Sequence, residues 1–319
     1  MEFAGRWTGL LQGLKDRKLF RNRLPLWFII FSIVIMLAVG LLFAWLPAVA
    51  ESRQAYGRGL EAEKEKKYVS AIREYKKAEK LFPFTTGVYV RLGVSYYYNG
   101  QIKEAGEVFD SIVEKRAGRK LTAEANAVVK KINSMYYMSE ELGKILSGYG
   151  KEELEKTRDK LLQYSSRYPD DVLGLFYTGN IYFDLEKYSL AAEYFNKVIT
   201  SQPEFFSAYL NLAATYRELG KYQEAEESCQ RVLEYNIESV PAYVALSKTE
   251  QKQGNYTKFL EYAQKAYSID STDESAAANL SAAYHFNGMT GERDKLFSLL
   301  KSKNYYGLEA LKRIYKEKP

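Results

Sequence analysis

Hydrophobic and polar positions fall into two regimes along the chain. Residues 26–46, "LWFIIFSIVIMLAVGLLFAWL", run 21 in a row without a charge. At about 1.5 Å per residue, a helix of that length spans roughly 30 Å, the hydrocarbon thickness of a bilayer. Trp27 and Trp45 sit near its two ends, where indole rings favour the membrane interface. A core helix of a soluble domain is rarely apolar all round for six turns, so the pattern predicts a transmembrane helix. From residue 52 onward the pattern is amphipathic, with helix-length segments broken by short glycine-bearing turns. Particular residue types recur there. Gly179, Tyr182, Ala191, Phe195 and Pro203 are echoed by Gly93, Tyr96, Ala105 and Phe109, and earlier by Gly59, Ala71, Tyr75, Ala78 and Pro83. Tyr209, Leu212, Tyr216, Gly220 and Ala225 follow, then Tyr243, Leu246, Gly254 and Ala266, and last Leu280, Tyr284, Gly288 and Phe297. Six windows, 52–85, 86–119, 172–205, 206–239, 240–273 and 274–307, share one period of 34 residues.

The types make sense for paired antiparallel helices. Small residues at 59, 93, 179 and 213 let two helices approach closely, and later Tyr or Phe residues fill the space they leave. Gly100, Gly220, Gly254 and Gly288 stand where a helix ends in a left-handed cap. Pro83 and Pro203 stop second helices, and Pro241 suits the first turn of a first helix. Each hairpin is amphipathic and cannot bury its own apolar stripe, so neighbours must stack. Period and residue identities together resemble the tetratricopeptide repeat, most closely in "YVRLGVSYYYNGQIKEAGEVF" (89–109) and "YLNLAATYRELGKYQEA" (209–225). The resemblance covers about two thirds of the chain. It implies an all-α fold, a solenoid of helical hairpins, here preceded by a single transmembrane helix. Window 52–85 departs from the pattern at Ala55 and Arg58, and window 240–273 at Glu250 and Phe259.

Between 120 and 171 the register slips by 18 residues beyond one period. The expectation for 120–171 is one degenerate or lengthened repeat with room for an extra helix, its worn second helix ending at Pro169. The tract is either a bend in the solenoid or a boundary between two sub-arrays, 52–119 and 172–307. Residues 308–319, "YYGLEALKRIYKEKP" with their approach, carry the polar face and apolar stripe of a capping helix.

Charge changes the picture at the N-terminus. Of 46 basic and 40 acidic residues, six and two fall in residues 1–25, so the rest of the chain carries only about +2. Nucleic-acid binding needs a concentrated basic field, and no nucleic-acid partner is expected. The basic flank directs the N-terminus to the cytoplasm and the repeat body across the membrane. The expectation is thus a single-pass cell-membrane protein with an extracytoplasmic repeat body. Phe3, Trp7, Leu10, Leu11 and Leu14 fall at helical spacing, which suits either an interfacial amphipathic helix or a loose basic tail. An A-x-A pattern at Ala48–Ala50 raises signal-peptide cleavage, but the apolar core exceeds the usual 7–15 residues and favours an uncleaved anchor.

Catalytic chemistry has little to stand on. His285 is the one histidine and Cys229 the one cysteine, so no intramolecular disulfide can form. His285, near a first-helix end, reads as solvent-facing or groove-lining. Cys229 occupies a repeat's Phe position and reads as a small buried hydrophobe. Acidic pairs such as Glu140–Glu141 and Glu226–Glu227 lie on helical faces or at helix starts. No phosphate-binding glycine motif occurs, and neither an enzyme nor a cofactor is expected.

In tetratricopeptide arrays the first helix of each hairpin lines a concave face, and the resemblance places ligand contacts at its second, fifth, ninth and twelfth positions. These correspond to Val90, Val94 and Tyr97; Leu173, Phe176, Asn180 and Phe183; Leu210 and Arg217; and Val244, Lys248 and Gln251. Chaperone-adaptor relatives carry Lys/Arg and Asn there to clamp a carboxylate, and here only Asn180 and Lys248 partly agree. Two readings stay open: a groove gripping an apolar or amphipathic peptide, or a wall covered by an internal helix such as the 120–150 insert. The functional expectation is a membrane-anchored scaffold that binds other proteins or peptides, in envelope assembly or chaperoning. The alternatives are an organelle import-type receptor with cytosolic repeats, and a non-catalytic subunit of an envelope synthesis or transport complex.

Overall fold

A computed structural model describes residues 26–82, 86–115, 122–150 and 154–317, and the described residues form helices without a strand. The expectations for residues 1–25 and for Pro83 lie outside the described residues. The chain divides into two compact units at Gln54/Ala55.

The first unit holds most of α1 (Leu26–Lys64), which passes through Pro47 without interruption. Pro47 lacks the amide that would bond back toward Phe43, yet the helix continues through residue 52, where the first repeat begins. By length and composition this is the one described helix apolar enough to cross a membrane. Its large apolar side chains, among them Trp27, Met36 and Phe43, are exposed.

The second unit is a stack of helical hairpins. Residues 55–64 of α1 pair with α2 (Tyr68–Leu81), sealed by Tyr75 against Gly59 and Tyr56. The next pair is α3 (Thr86–Tyr98) and α4 (Ile102–Lys115). After the register slip come α8 (Val172–Asp184) with α9 (Tyr188–Ser201), and α10 (Phe206–Glu218) with α11 (Tyr222–Tyr235). The stack ends with α12 (Val240–Gln253) and α13 (Tyr256–Ile269), then α14 (Glu274–Phe286) and α15 (Thr290–Ser302). The tract between holds α5 (Ala123–Tyr136), α6 (Glu140–Leu146) and α7 (Leu154–Arg167). α7 packs on α8 as a second helix would, α6 packs on α7, and α5 is the extra helix.

The close-approach positions behave as volume pairs 16 residues apart. A Cβ on Gly59 would meet the Tyr75 ring at 2.4 Å, and one on Gly93 or Gly179 would meet Phe109 or Phe195 at 2.7 Å. Where the small residue gains a methyl, at Ala213, the partner shrinks to Cys229, and where it is Ser247 the partner is Ala263; all four are buried. An aromatic ring is thus seated where its partner is glycine, and where the partner carries a Cβ the facing residue is small, as close packing requires. Burial pushes the Cys229 thiol up to about 12.

The departures from the repeat pattern are absorbed locally. Arg58 pairs with Glu74 at 2.8 Å. Glu250 is buried but accepts from Asn255 Nδ2 at 2.8 Å and pairs with Lys258 at 3.5 Å. Phe259 is fully buried beside Phe286.

At the C-terminal end, α16 (Leu308–Ile314) buries Leu311 over α14, and the Ser281 and Tyr315 hydroxyls lie 2.6 Å apart. His285 differs from its sequence reading, being neither solvent-facing nor groove-lining. The segment after α16 covers it: Nε2 lies 2.9 Å from the Glu317 carbonyl oxygen and the ring lies 5.3 Å from Tyr315. It is a core histidine of the capping region.

The second unit also touches itself across five hairpins. The Ile237 amide donates to the Lys66 carbonyl at 3.1 Å, and Lys66 Nζ donates to the Glu234 carbonyl at 2.6 Å. The Ser70 amide and hydroxyl donate to Glu238 at 2.8 and 2.7 Å, and Asn236 donates to Asn99 at 2.9 Å. Val69 packs into the cluster of Val240, Val244 and Ala266.

Candidate partner-binding groove

First helix α12 touches α10 and α14 directly, and α8 touches α10, so these helices form the inner wall of the stack. Their exposed side chains are what a partner could reach.

The wall is occupied at its N-terminal end. α5 touches α3, α4 and α8. Its Tyr136 stacks on Phe205 at 4.9 Å, and Phe205 in turn meets Phe176 at 5.0 Å. Lys131 of α5 pairs with Glu204 at 2.7 Å, and Glu204 also accepts from the Tyr97 hydroxyl at 2.9 Å. Burial first, and then this bond to Glu204, push the Tyr97 phenol far above the usual tyrosine range. The carboxylate of Glu204 thus fastens the inserted helix to α3.

This sorts the twelve residues singled out by position. Val90, Val94, Tyr97, Leu173 and Val244 are buried, Tyr97 tied to α5 through Glu204 and Val244 packed with Val69 of the first hairpin. Phe176 is half-buried in the Phe205 stack. Asn180, Phe183, Leu210, Arg217 and Gln251 are half-buried, and Lys248 is exposed. The available set therefore lies on α8, α10 and α12.

Two cavities open there and share Ala214. One, of about 310 Å³, is lined by Asn180, Phe183 and Asn211 of the wall, with Tyr149, Tyr177 and Asp184. Asn211 Nδ2 donates to Asn180 Oδ1 at 2.7 Å, and Phe183 is fixed edge-on to Tyr188 at 5.3 Å. The Tyr149 hydroxyl donates to Asp184. The second, of about 240 Å³, is lined by Arg217, Val244 and Lys248 with Pro241 and Asp273. Arg217 bonds Glu218 at 3.2 Å. Lys248 is accessible, yet desolvation by the wall, with Arg217 adding repulsion, holds its ammonium below the usual lysine range.

Position within the repeat did not reveal Tyr149, Tyr177, Asp184 or Asn211. Tyr149 comes from the loop after α6, in the tract where the repeat register fails. Asn211 sits at the sixth position of its window, and its signal was the 31-residue spacing to Asn180.

Stacked amphipathic hairpins with a cavity-bearing inner wall define a helical-repeat interaction scaffold. Residues 178–241 and 210–274 match one tetratricopeptide repeat family model, and residues 88–117 match another. No curated protein sequence matches the chain. Among solved structures, a tetratricopeptide repeat protein from Parabacteroides merdae ATCC 43184 is similar over 84% of this chain and 98% of its own, at 15% identity and a TM-score of 0.48. A MamA crystal structure is similar over 53% of this chain and 96% of its own, at 23% identity and a TM-score of 0.42. MamA from Desulfovibrio magneticus RS-1 (residues 41 to the end) covers 54% of this chain and 92% of its own, at 18% identity and a TM-score of 0.40.

Proposed function

We propose that this chain is a membrane-anchored, non-catalytic adaptor that holds a segment of another protein against the inner wall formed by α8, α10 and α12. The observation that carries it is a pair of cavities that share Ala214, one lined by Asn180 and Phe183 and the other by Arg217 and Lys248. An apolar or amphipathic segment would bury its side chains there, as peptides do in helical grooves. Residues 26–46 would supply the anchor, and the basic flank before them supports a repeat body on the extracytoplasmic side of a cell membrane, in the service of envelope protein assembly.

Photocrosslinking in living cells tests the groove. A benzophenone side chain at position 183 or 217 is expected to trap the same partner, while one at Glu227, on the exposed face of α11, traps none. Equal trapping from all three positions would remove the groove from consideration. Topology is tested separately with a protease site inserted after Gly150: cleavage by a cytosolic protease in intact cells would put the repeats on the other side.

A further inference from the structure

The two cavities of the groove differ in charge, and the difference identifies what each accepts. Among the described residues, the lining of the 310 Å³ cavity contains one carboxylate, Asp184, and no lysine or arginine. Three aromatic rings, Tyr149, Tyr177 and Phe183, surround the same space. Asp184 accepts from the Tyr149 hydroxyl, a neutral donor, and this bond leaves its negative charge uncancelled. Burial first, and then the bond to Asp184, push the Tyr149 phenol far above its ordinary range, so it remains a donor at any physiological pH. Across Ala214 the second cavity carries two cations, Arg217 and Lys248, against one carboxylate, Asp273.

Resting on the groove reading above, we propose that the cavity of Tyr149, Tyr177, Phe183 and Asp184 receives a lysine or arginine side chain of an extended partner segment. Aromatic faces attract a cation through their quadrupole, and the attraction grows when water is excluded. An apolar side chain in the same place would cover the carboxylate without pairing it, and a desolvated unpaired charge is costly. An acidic side chain would meet Asp184 head-on. The Asn180–Asn211 pair complements this choice. With Asn211 Nδ2 donating to Asn180 Oδ1, Asn180 Nδ2 and Asn211 Oδ1 are left as one donor and one acceptor, the set a peptide unit of an extended backbone needs. Arg217 and Lys248 outnumber Asp273 in the neighbouring cavity and disfavour a cation there, so the basic residue has one preferred register in the groove.

The test uses the full chain in lipid nanodiscs, panned against a random heptapeptide library. Peptides retained by the wild type but not by Phe183→Ala are taken as groove ligands, with circular dichroism confirming that Phe183→Ala is folded. These are expected to be enriched in Lys or Arg, and replacing that residue by norleucine is expected to weaken binding about tenfold. In Asp184→Asn, which keeps size and hydrogen-bonding capacity, most of that discrimination disappears. Groove ligands without a basic residue, or ligands indifferent to Asp184→Asn, would overturn the charge assignment while leaving the groove in place. A library yielding no Phe183-dependent peptide would overturn both.

Discussion

Phe195 lies so close to Gly179 that a methyl on the glycine would sit 2.7 Å from the ring. Two effects oppose each other in Gly179→Ala. Alanine is the better helix former by about 1 kcal/mol, whereas overpacking a closed site costs about 1–3 kcal/mol. Phe195 is fully buried and cannot swing away, so the clash wins. Gly179→Ala is expected to lower stability by about 1 kcal/mol, and Gly179→Ala with Phe195→Leu to lose less than the sum of the two changes. A urea-denaturation double-mutant cycle with a coupling of about 1 kcal/mol would establish the pair; additivity would disprove it. Cys229 gives a second expectation. Its thiol titrates at about 12 inside the fold against about 8.5 in an open chain. The neutral form is the one the fold retains, so its contribution to stability is complete below about pH 8.5 and is lost as pH rises toward 12. At pH 8 native protein should therefore react with Ellman's reagent far more slowly than urea-unfolded protein. Equal rates would show that the site opens freely.

The turns between paired helices share one device, a left-handed residue at the fifteenth position of each window. Gly100, Gly220, Gly254 and Gly288 adopt φ between 70° and 79° there, and Lys66 and Glu186 adopt the same region without being glycine. A side chain in that region costs about 1–2 kcal/mol, while glycine adds unfolded-chain entropy worth about 0.4–1 kcal/mol. Glu186→Gly should therefore stabilise by about 0.5–1 kcal/mol and Gly254→Ala should destabilise by about 1 kcal/mol, read as opposite shifts in thermal midpoint. Midpoints moving in the same direction would refute the strain account. These glycines also explain why the hairpins were legible in the sequence: turn, close approach and period are all local and coincide. The surroundings of α5 were not legible. Its amphipathic pattern announces a helix, but nothing in it names Phe205 or Glu204 as its neighbours, since those contacts depend on where the stack carries α8 and α10. For the same reason the wall positions near α5 read as candidate ligand contacts, although Tyr97 and Phe176 are engaged within the chain.

At the scale of the repeat unit, the self-contact between the first hairpin and the α11–α12 turn is the feature least visible in the sequence. It arises from small rotations accumulated over five hairpins, and no single residue encodes that sum. Glu238 has a specific part in it. The residue before α2, Lys67, provides no side-chain cap, and Glu238 supplies a carboxylate from 168 positions away, accepting from the Ser70 amide and hydroxyl. An anion at the first turn also suits the helix dipole. Glu238→Ala removes both acceptors and leaves the amide unpaired, at a cost of about 1–3 kcal/mol. That is too little to unfold a stacked array but enough to raise the open population of this contact 5- to 150-fold. Hydrogen exchange is expected to accelerate in 66–81 and 234–240 while α10, outside the contact, keeps its protection. Glu238→Gln, which preserves an acceptor oxygen, should fall between. Acceleration spread evenly over all hairpins would mean that the residue supports the stack in general, and an unchanged profile would mean that the first hairpin is held by Val69 and its apolar neighbours alone.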